Sequence, residues 1–392
     1  MPGQFPRVDV AIIGGGIMGC SVAYYLKALD PALTVRVIEP DPTYELCSTL
    51  RASGGARRLF SCPENIAMSS YSIDFIKAFP QAMAVGEREA PVDWVEGGYL
   101  FIVPPQGMAM LEAAYETQRG LGCEVYLLEP EQLKESFPSM VVDDLAGGVH
   151  SPRDGWCDPN GLLQGFRRKA ISLGAEFTVD RVADLEVSSG AVRSAKLATG
   201  AVVHAETFVN AAGAWSAGMA QMAGMPLPIS PLRRFEHYFT CGNPIEPLPY
   251  VKDTARLAFR SEGAGFSGGL VDGSEPRGFN FEVDHGYFER VVWPAVAARF
   301  PPFEAARCHR TWSGLYEQCE LDGNPIIGNW AQRLPNFYTI AGFSGHGMMH
   351  APAAGRGLAE LILLGRYQSI DLSRFGYRRV ELEEPYPEAG IL

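Results

Sequence analysis

Short apolar runs separated by glycine clusters mark both ends of this chain, and they predict strands alternating with helices. Val8–Ile13 reads Val-Asp-Val-Ala-Ile-Ile, nearly continuous in its apolar positions, as a strand buried on both faces should be. Beyond Gly14-Gly15-Gly16 an apolar run reaches Leu26, and Thr34-Val-Arg-Val-Ile-Glu39 follows. The order is strand, turn, helix, strand. A further helix is expected from Ser61 to about Phe79. Ile66, Ile73, Phe75 and Ile76 are its core positions, and Ser61-x-x-Glu64 with Pro63 reads as a capping box.

From about Val92 the pattern shortens to strands such as Gly98–Val103, then a helix from Met108 to Leu121 stopped by Gly120 and Gly122. Asp158-Pro159 caps a helix that ends at Gly174, and Ser188-Ser189-Gly190 and Thr199-Gly200 read as hairpin turns. An apolar strand at Thr207–Asn210 then runs into a small-residue turn, Ala-Ala-Gly213-Ala-Trp215. Between Pro226 and Pro325 short strands are expected, with one helix from Gly286 to Arg299. Arg233 to Thr240 alternates there: Arg233, Phe235, His237 and Phe239 share one face, and Arg234, Glu236, Tyr238 and Thr240 the other. Arg260, His309, Trp312 and Tyr316 lie in the same region. The tail repeats the opening plan, with a strand Phe337–Ala341, a glycine turn Gly342–Gly347 and a helix from about Ala351 to Leu364. Both ends of the chain therefore build one unit.

Composition narrows the class. The chain has 392 residues, 47% hydrophobic and 20% charged, as a soluble globular protein has. A formal net charge of −12 argues against nucleic acid as a partner. The eight cysteines form no C-x-x-C, which suggests no metal site and reduced thiols in a cytoplasmic protein. Val8–Leu26 is interrupted by three glycines and preceded by no charged leader, so no transmembrane span or signal peptide is expected. There is no internal repeat.

The chemistry begins at Gly14-x-Gly16-x-x-Gly19, with Ile17 and Met18 inside the motif. A tight turn, close backbone approach to a pyrophosphate and close helix packing each call for one of these glycines. Glu39 follows Gly19 by twenty residues, as a ribose-binding carboxylate should. A dinucleotide site is the reading; the motif does not separate FAD from NAD. After Pro40 come Ser48, Thr49 and Arg51, then Ser53-Gly54-Gly55 and Arg57-Arg58, small and basic residues that suit close approach to phosphate.

These motifs together resemble the D-amino-acid-oxidase-like FAD-dependent oxidoreductases, which include glycine oxidase, sarcosine oxidase, dimethylglycine dehydrogenase and D-amino-acid dehydrogenases. The resemblance rests on Gly14–Gly19 with Glu39, Ser53-Gly54-Gly55 with Arg57, Asp158-Pro159, Asn210-Ala-Ala-Gly213-Ala-Trp215, Asp322–Gly328 and Gly342–Gly347. It implies an α/β fold with a Rossmann-like FAD-binding domain, residues 1–85, 151–225 and 322–392, and a second, antiparallel-sheet substrate domain, residues 86–150 and 226–321. It implies FAD on Glu39 and Pro40 at the ribose, Ser48, Thr49 and Arg51 near pyrophosphate or ribityl, and Ser53, Gly54, Gly55 and Arg57 near the flavin. Val182 is expected at the adenine. Ala212, Gly213 and Trp215 should make a second approach to the cofactor, and Gly345, His346, Gly347, Met348 and Met349 should contact the isoalloxazine.

The departures bear on chemistry. Some relatives attach the flavin through a His, where this chain has Arg51, or a Cys, where it has Gly314-Leu315; Cys319 is displaced by several residues. Non-covalent FAD is therefore expected. Met349 replaces the lysine that helps sarcosine oxidase react with oxygen, and it supplies no cation. A dehydrogenase passing electrons to a quinone or electron-transfer flavoprotein is thus expected ahead of an O2-using oxidase. The implied reaction oxidises the C–N bond of an amino acid or secondary amine, with hydride moving to the flavin and the imine hydrolysed. Arg58, Arg233, Arg234 and Arg260 are candidates for a substrate carboxylate, and His237, Tyr238 and His350 for proton transfer. The other readings are a 2-hydroxyacid dehydrogenase and a non-catalytic assembly flavoprotein.

Overall fold

The structure is a computed structural model, and it describes residues 5–389. Residues 1–4 and 390–392 of the expected cofactor domain lie outside the described residues. Two eight-stranded sheets organise the chain.

The first sheet is centred on Val8–Ile13, which pairs in parallel with Val35–Glu39 on one side and Val202–Asn210 on the other. Glu176–Val179 extends it in parallel beyond Val35–Glu39, and Leu334–Ala341 does so beyond Val202–Asn210. Ile326–Trp330 closes that edge antiparallel, and Val182–Ser188 with Ala191–Leu197 adds a hairpin. The helices Ile17–Leu29, Pro63–Ala82, Pro159–Ser172 and Gly347–Leu364 cover one face. Val10, Ile12, Leu26, Phe79, Phe166, Phe343 and Leu358 are buried between them. Central strands apolar in both directions are what a sheet covered on both faces requires.

The second sheet is mainly antiparallel, in the order Ala306–Cys319, Ile229–Cys241, Gly265–Leu270, Leu257–Glu262, Tyr250–Asp253, Tyr99–Val103, Gly147–Ser151, Tyr126–Leu128. Tyr250–Asp253 and Tyr99–Val103 form its one parallel pair. The fold is therefore mixed α/β with a Rossmann-like nucleotide-binding sheet, as expected.

Three local expectations change. The glycine- and proline-rich region holds two long strands, Ile229–Cys241 and Ala306–Cys319, paired along their whole length. The sequence pattern divides this region into short strands; mutual pairing lets the two run on, because each satisfies the other's backbone groups. The segment read as one helix from Gly286 is a π-helical turn, Phe288–Val292, followed by Trp293–Arg299. The helix expected from Ala351 begins at Gly347, and Pro352 sits inside it; its cost is one missing ladder donor.

The capping box at Ser61 is replaced by a long-range cap. The helix starts at Pro63 with no side-chain cap from its own residue Cys62. Glu388 supplies it instead, accepting from the Ser61 amide at 2.7 Å, the Ser61 hydroxyl at 2.5 Å, the Cys62 amide at 3.0 Å and the Asn65 amide group at 2.6 Å. Tyr386 donates to Glu64 at 2.8 Å. A carboxylate at a helix N-terminus meets orphan N–H groups and the positive end of the dipole. No helix among the described residues is long and apolar enough to cross a membrane.

Candidate functional site

A cavity of about 1080 Å³ runs between the two sheets. That is just above the range of ordinary ligand pockets, roughly 300–1,000 Å³. At one end lie Gly14, Gly16, Ile17, Met18, Glu39, Pro40 and Val182; at the other lie Tyr99, Tyr250, Arg234 and Glu236 of the antiparallel sheet.

The glycines of the opening turn do three separable things. Gly14 has φ +99°, and a Cβ there would fall 2.5 Å from the Ala211 carbonyl oxygen. A Cβ at Gly19 would fall 1.9 Å from the Gly14 oxygen, so Gly19 serves packing and does not line the cavity. A Cβ at Gly16 would meet only Cys47 Sγ at 3.4 Å and Thr49 Oγ1 at 4.0 Å. Its remaining room opens to the cavity, as a backbone that must approach a ligand requires. Glu39 lines the same end. Its carboxylate accepts from the Gly15 amide at 2.7 Å and the Asp41 amide at 3.0 Å, and burial raises its pKa.

In the middle, Ser48, Thr49, Arg51, Ser53, Gly54, Gly55, Arg57, Ala212, Gly213, Trp215, Gly314 and Leu315 all reach the cavity wall. Several are already tied down. Ser48 donates to the Leu315 carbonyl at 2.6 Å, and the Arg51 guanidinium is held by the Ser313 and Glu45 carbonyls at 2.5 and 2.8 Å. Gly345, His346, Gly347, Met348 and Met349 form the C-terminal contribution. Here Gly345 has φ +101°, and its missing Cβ leaves room for the Tyr316 ring, 2.5 Å away.

The sequence-expected catalytic residues divide sharply. Met349 lines the cavity; Arg58, Arg233, His237, Tyr238 and His350 do not. Arg58 is paired with buried Asp154 at 2.9 Å and with Asp74. Arg233 forms a two-pronged pair with Glu275 at 2.8 and 3.0 Å. His237 is fully buried, bonded to Thr311 at 3.0 Å and stacked on Tyr287, and burial lowers its pKa to about 4. Tyr238 sits beside His309. His350 meets Ser69 at 3.0 Å in the helical layer, and burial pushes its pKa down to about 3. Arg260 is spent on the Ser53 carbonyl, at 2.7 Å, and on Glu262.

Of the four arginines considered for a carboxylate, only Arg234 lines the cavity and has no carboxylate partner among the described residues. It lies 5.3 Å from the Tyr316 ring, and its Nε is buried without a hydrogen-bond partner. On the same strand face, Glu236 accepts from Ser267 at 2.7 Å, and burial raises its pKa to about 7. Of this strand's two faces, the one carrying Arg234 and Glu236, not the one carrying Arg233 and His237, therefore turns charged groups to the cavity.

Sequence reasoning missed Tyr99, Tyr250 and Lys252. Tyr99 and Tyr250 stack with ring centres 4.4 Å apart, and Tyr250 donates to Ser53 at 2.8 Å. Lys252 brings an amine to the cavity, its pKa held well below the usual value by burial and by Arg57. Tyr99 sits in an apolar strand pattern that reads as core, and Tyr250 and Lys252 in a four-residue strand that carries no motif. No cluster among the described residues has the makings of a metal site, and all eight cysteines are free.

The donor set fits a dinucleotide carrying a redox ring: an open glycine cradle and carboxylate at one end, a second glycine turn with a helix N-terminus at the other. Comparison with known proteins bears on which one. Residues 9–361 match the family model described as DAO, FAD dependent oxidoreductase. FAD-dependent oxidoreductase domain-containing protein 1 of Xenopus laevis is 35% identical, over 98% of this chain and 85% of that protein. Glycine oxidase of Geobacillus kaustophilus is 28% identical, over 95% of this chain and 97% of that protein. The crystal structure of L-proline dehydrogenase from P. horikoshii superposes with a TM-score of 0.85 at 25% identity, covering 98% of this chain and all of that one.

Proposed function

The chain belongs to the DAO family of FAD-dependent oxidoreductases, and on that premise we propose that it oxidises the C–N bond of an amino acid or secondary amine. The observation that carries the reading is the Arg234 guanidinium in the cavity wall, beside Tyr316 and on one face with Glu236: it has no carboxylate partner among the described residues, and its one hydrogen bond there is to the Arg233 carbonyl at 3.1 Å. FAD, when bound, supplies the two-electron chemistry by accepting a hydride equivalent from the carbon next to nitrogen. The residues of the chain do the rest. Arg234 orients a substrate carboxylate through a planar fork of donors. Tyr99, Tyr250 and Tyr316 wall the site with aromatic surface and keep water out. Glu236 receives the ammonium proton, since an amine must be neutral before its carbon gives up hydride, and a carboxyl tuned near 7 is suited to that transfer. The likeness to glycine oxidase and L-proline dehydrogenase supports the amine reading over a hydroxyacid one.

FAD is proposed to bind without a covalent link. Gly314 and Leu315 offer no nucleophile, Arg51 is held by two carbonyls, and Cys319 is buried against Asp322 at 3.5 Å. Acid precipitation should leave the yellow colour in the supernatant; a yellow pellet would refute this. The electron acceptor is proposed to be a quinone or electron-transfer flavoprotein, because Met349 places no charge beside the reactive end. Lys252 is the residue that opposes that preference.

The experiment is an anaerobic screen of the flavin-loaded protein. Amino acids and N-alkyl amines should bleach the flavin, and 2-hydroxy acids should not. Readmitting air then decides the acceptor: reoxidation within a turnover would assign an oxidase, with Lys252→Met as the variant that should slow it.

A further inference from the structure

Glu317 is a half-buried carboxyl that the proposed chemistry does not use. It lies near the end of Ala306–Cys319, still paired there with Ile229–Cys241, and close to two glycine turns. Its side-chain oxygens lie 3.7 Å from the Cβ position of Gly347 and 4.0 Å from that of Gly213. One oxygen accepts weakly from the Phe343 amide at 3.4 Å. The other, Oε2, is buried with no hydrogen-bond partner, and the residue lines the cavity. A carboxylate oxygen without a donor is costly in a protein interior, so a ligand group or a proton is owed to it.

We propose that Glu317, where it is ionised in the oxidised protein, takes up a proton from solvent when the bound cofactor is reduced, and so steepens the dependence of the cofactor's potential on pH. The inference rests on the FAD reading. The physical argument is charge. A reduced cofactor carries more negative charge than an oxidised one, and a carboxylate beside it in a largely desolvated cavity wall opposes that charge. The carboxyl resolves the conflict by protonating. Two electrons and one proton leave the substrate carbon as hydride, and a second proton enters from solvent to Glu317. When the acceptor removes the electrons, that proton returns to solvent.

The charged and titratable groups on the elements packed around Glu317 do not neutralise it. Arg51 is bound to the Ser313 and Glu45 carbonyls, Arg233 pairs with Glu275, and Arg277 pairs with Glu320. Arg234 lies over Tyr316, and His346 lies edge-on to Phe60. Burial raises the Glu317 pKa to about 7, eased only by the Gly342 and Phe343 amides. An ordinary glutamate is ionised well below that, so the proton is exchangeable in the physiological range.

The test is the midpoint potential of the flavin-loaded protein from pH 6 to 9, measured by dye equilibration without substrate. Each proton taken up with two electrons adds about 30 mV per pH unit. The wild type should fall by about 30 mV per unit at low pH and about 60 mV per unit above a break near 7. A protonating group on the cofactor itself would break the line the other way, flattening it as pH rises. E317Q should show the shallow slope throughout and lie above wild type beyond the break. A single wild-type slope, or an unmoved break in E317Q, overturns the proposal. Should E317Q not retain flavin, E317D is measured, and its break must move. A wild type that takes up no FAD contradicts the cofactor reading instead, and absorbance shows that directly.

Discussion

Replacing Gly16 with alanine yields a folded protein that has lost its cofactor. The added Cβ meets no protein atom closer than 3.4 Å, so the fold has room for it. Gly16 is also the N-cap of Ile17–Leu29, with ordinary extended backbone at φ −64°. Alanine at an N-cap costs at most about 1 kcal/mol. The unused space at Gly16 belongs to the cavity, and a methyl group there holds a pyrophosphate away from the helix amides. Losing amide bonds to an ionised group costs about 3 kcal/mol, or about a hundredfold in FAD affinity. The contrast is Gly14→Ala, whose Cβ strikes the Ala211 carbonyl at 2.5 Å in a left-handed backbone. That variant should lose thermal stability whether or not FAD is present. Titration of apoprotein with FAD, beside melting curves of both apoproteins, separates the two effects. A Gly16→Ala protein that binds FAD normally would remove the nucleotide from this end of the cavity.

Arg234→Ala should cost about 2–4 kcal/mol in binding of carboxylated amines, which is roughly thirty- to a thousandfold. The loss is large because the guanidinium has no other carboxylate to hold and faces a wall of aromatic rings. For the same reason the fold should tolerate the change. Amines without a carboxylate should bind the variant as they bind the wild type. Arg234→Lys should recover little, since a point charge does not reproduce the two-pronged fork. Arg233→Ala is the matching control. It removes a pair with Glu275 away from the cavity, so it should change stability and leave substrate binding alone. Dissociation constants from the spectral shift of the bound flavin provide the readout. Equal weakening by both substitutions would mean that Arg234 does not touch substrate.

The parts of this molecule that its sequence discloses are those where the backbone itself does the work. Gly14 and Gly19 announce a cradle because no other residue fits their conformation or clearance, and Gly16 because a side chain there would enter the ligand's space. The apolar runs at Val8–Ile13 and Val35–Glu39 announce a covered sheet for the same local reason. The reactive end is different. Alternation along Ile229–Cys241 separates Arg233 from Arg234 but not which face meets the cavity, because the neighbouring sheet and helices decide that. The helical turn at Phe288–Val292 packs on the His237 face, with Phe288 5.5 Å from His237, and so closes it. Tyr99 sits in a strand whose pattern is that of an ordinary core, Tyr250 and Lys252 in a short strand with no motif, and only tertiary placement opens them to a ligand. The Glu388 cap was likewise invisible, since its partners lie more than three hundred residues away along the chain.

The most direct test of C–N oxidation is an anaerobic product balance. An N-methyl amino acid is added to the flavin-loaded protein in stepwise equivalents, and the flavin absorbance, the carbonyl product and the released amine are measured together. The proposed chemistry predicts one carbonyl and one amine for each flavin bleached. Bleaching by a 2-hydroxy acid in its place, or bleaching that releases no amine, would contradict it.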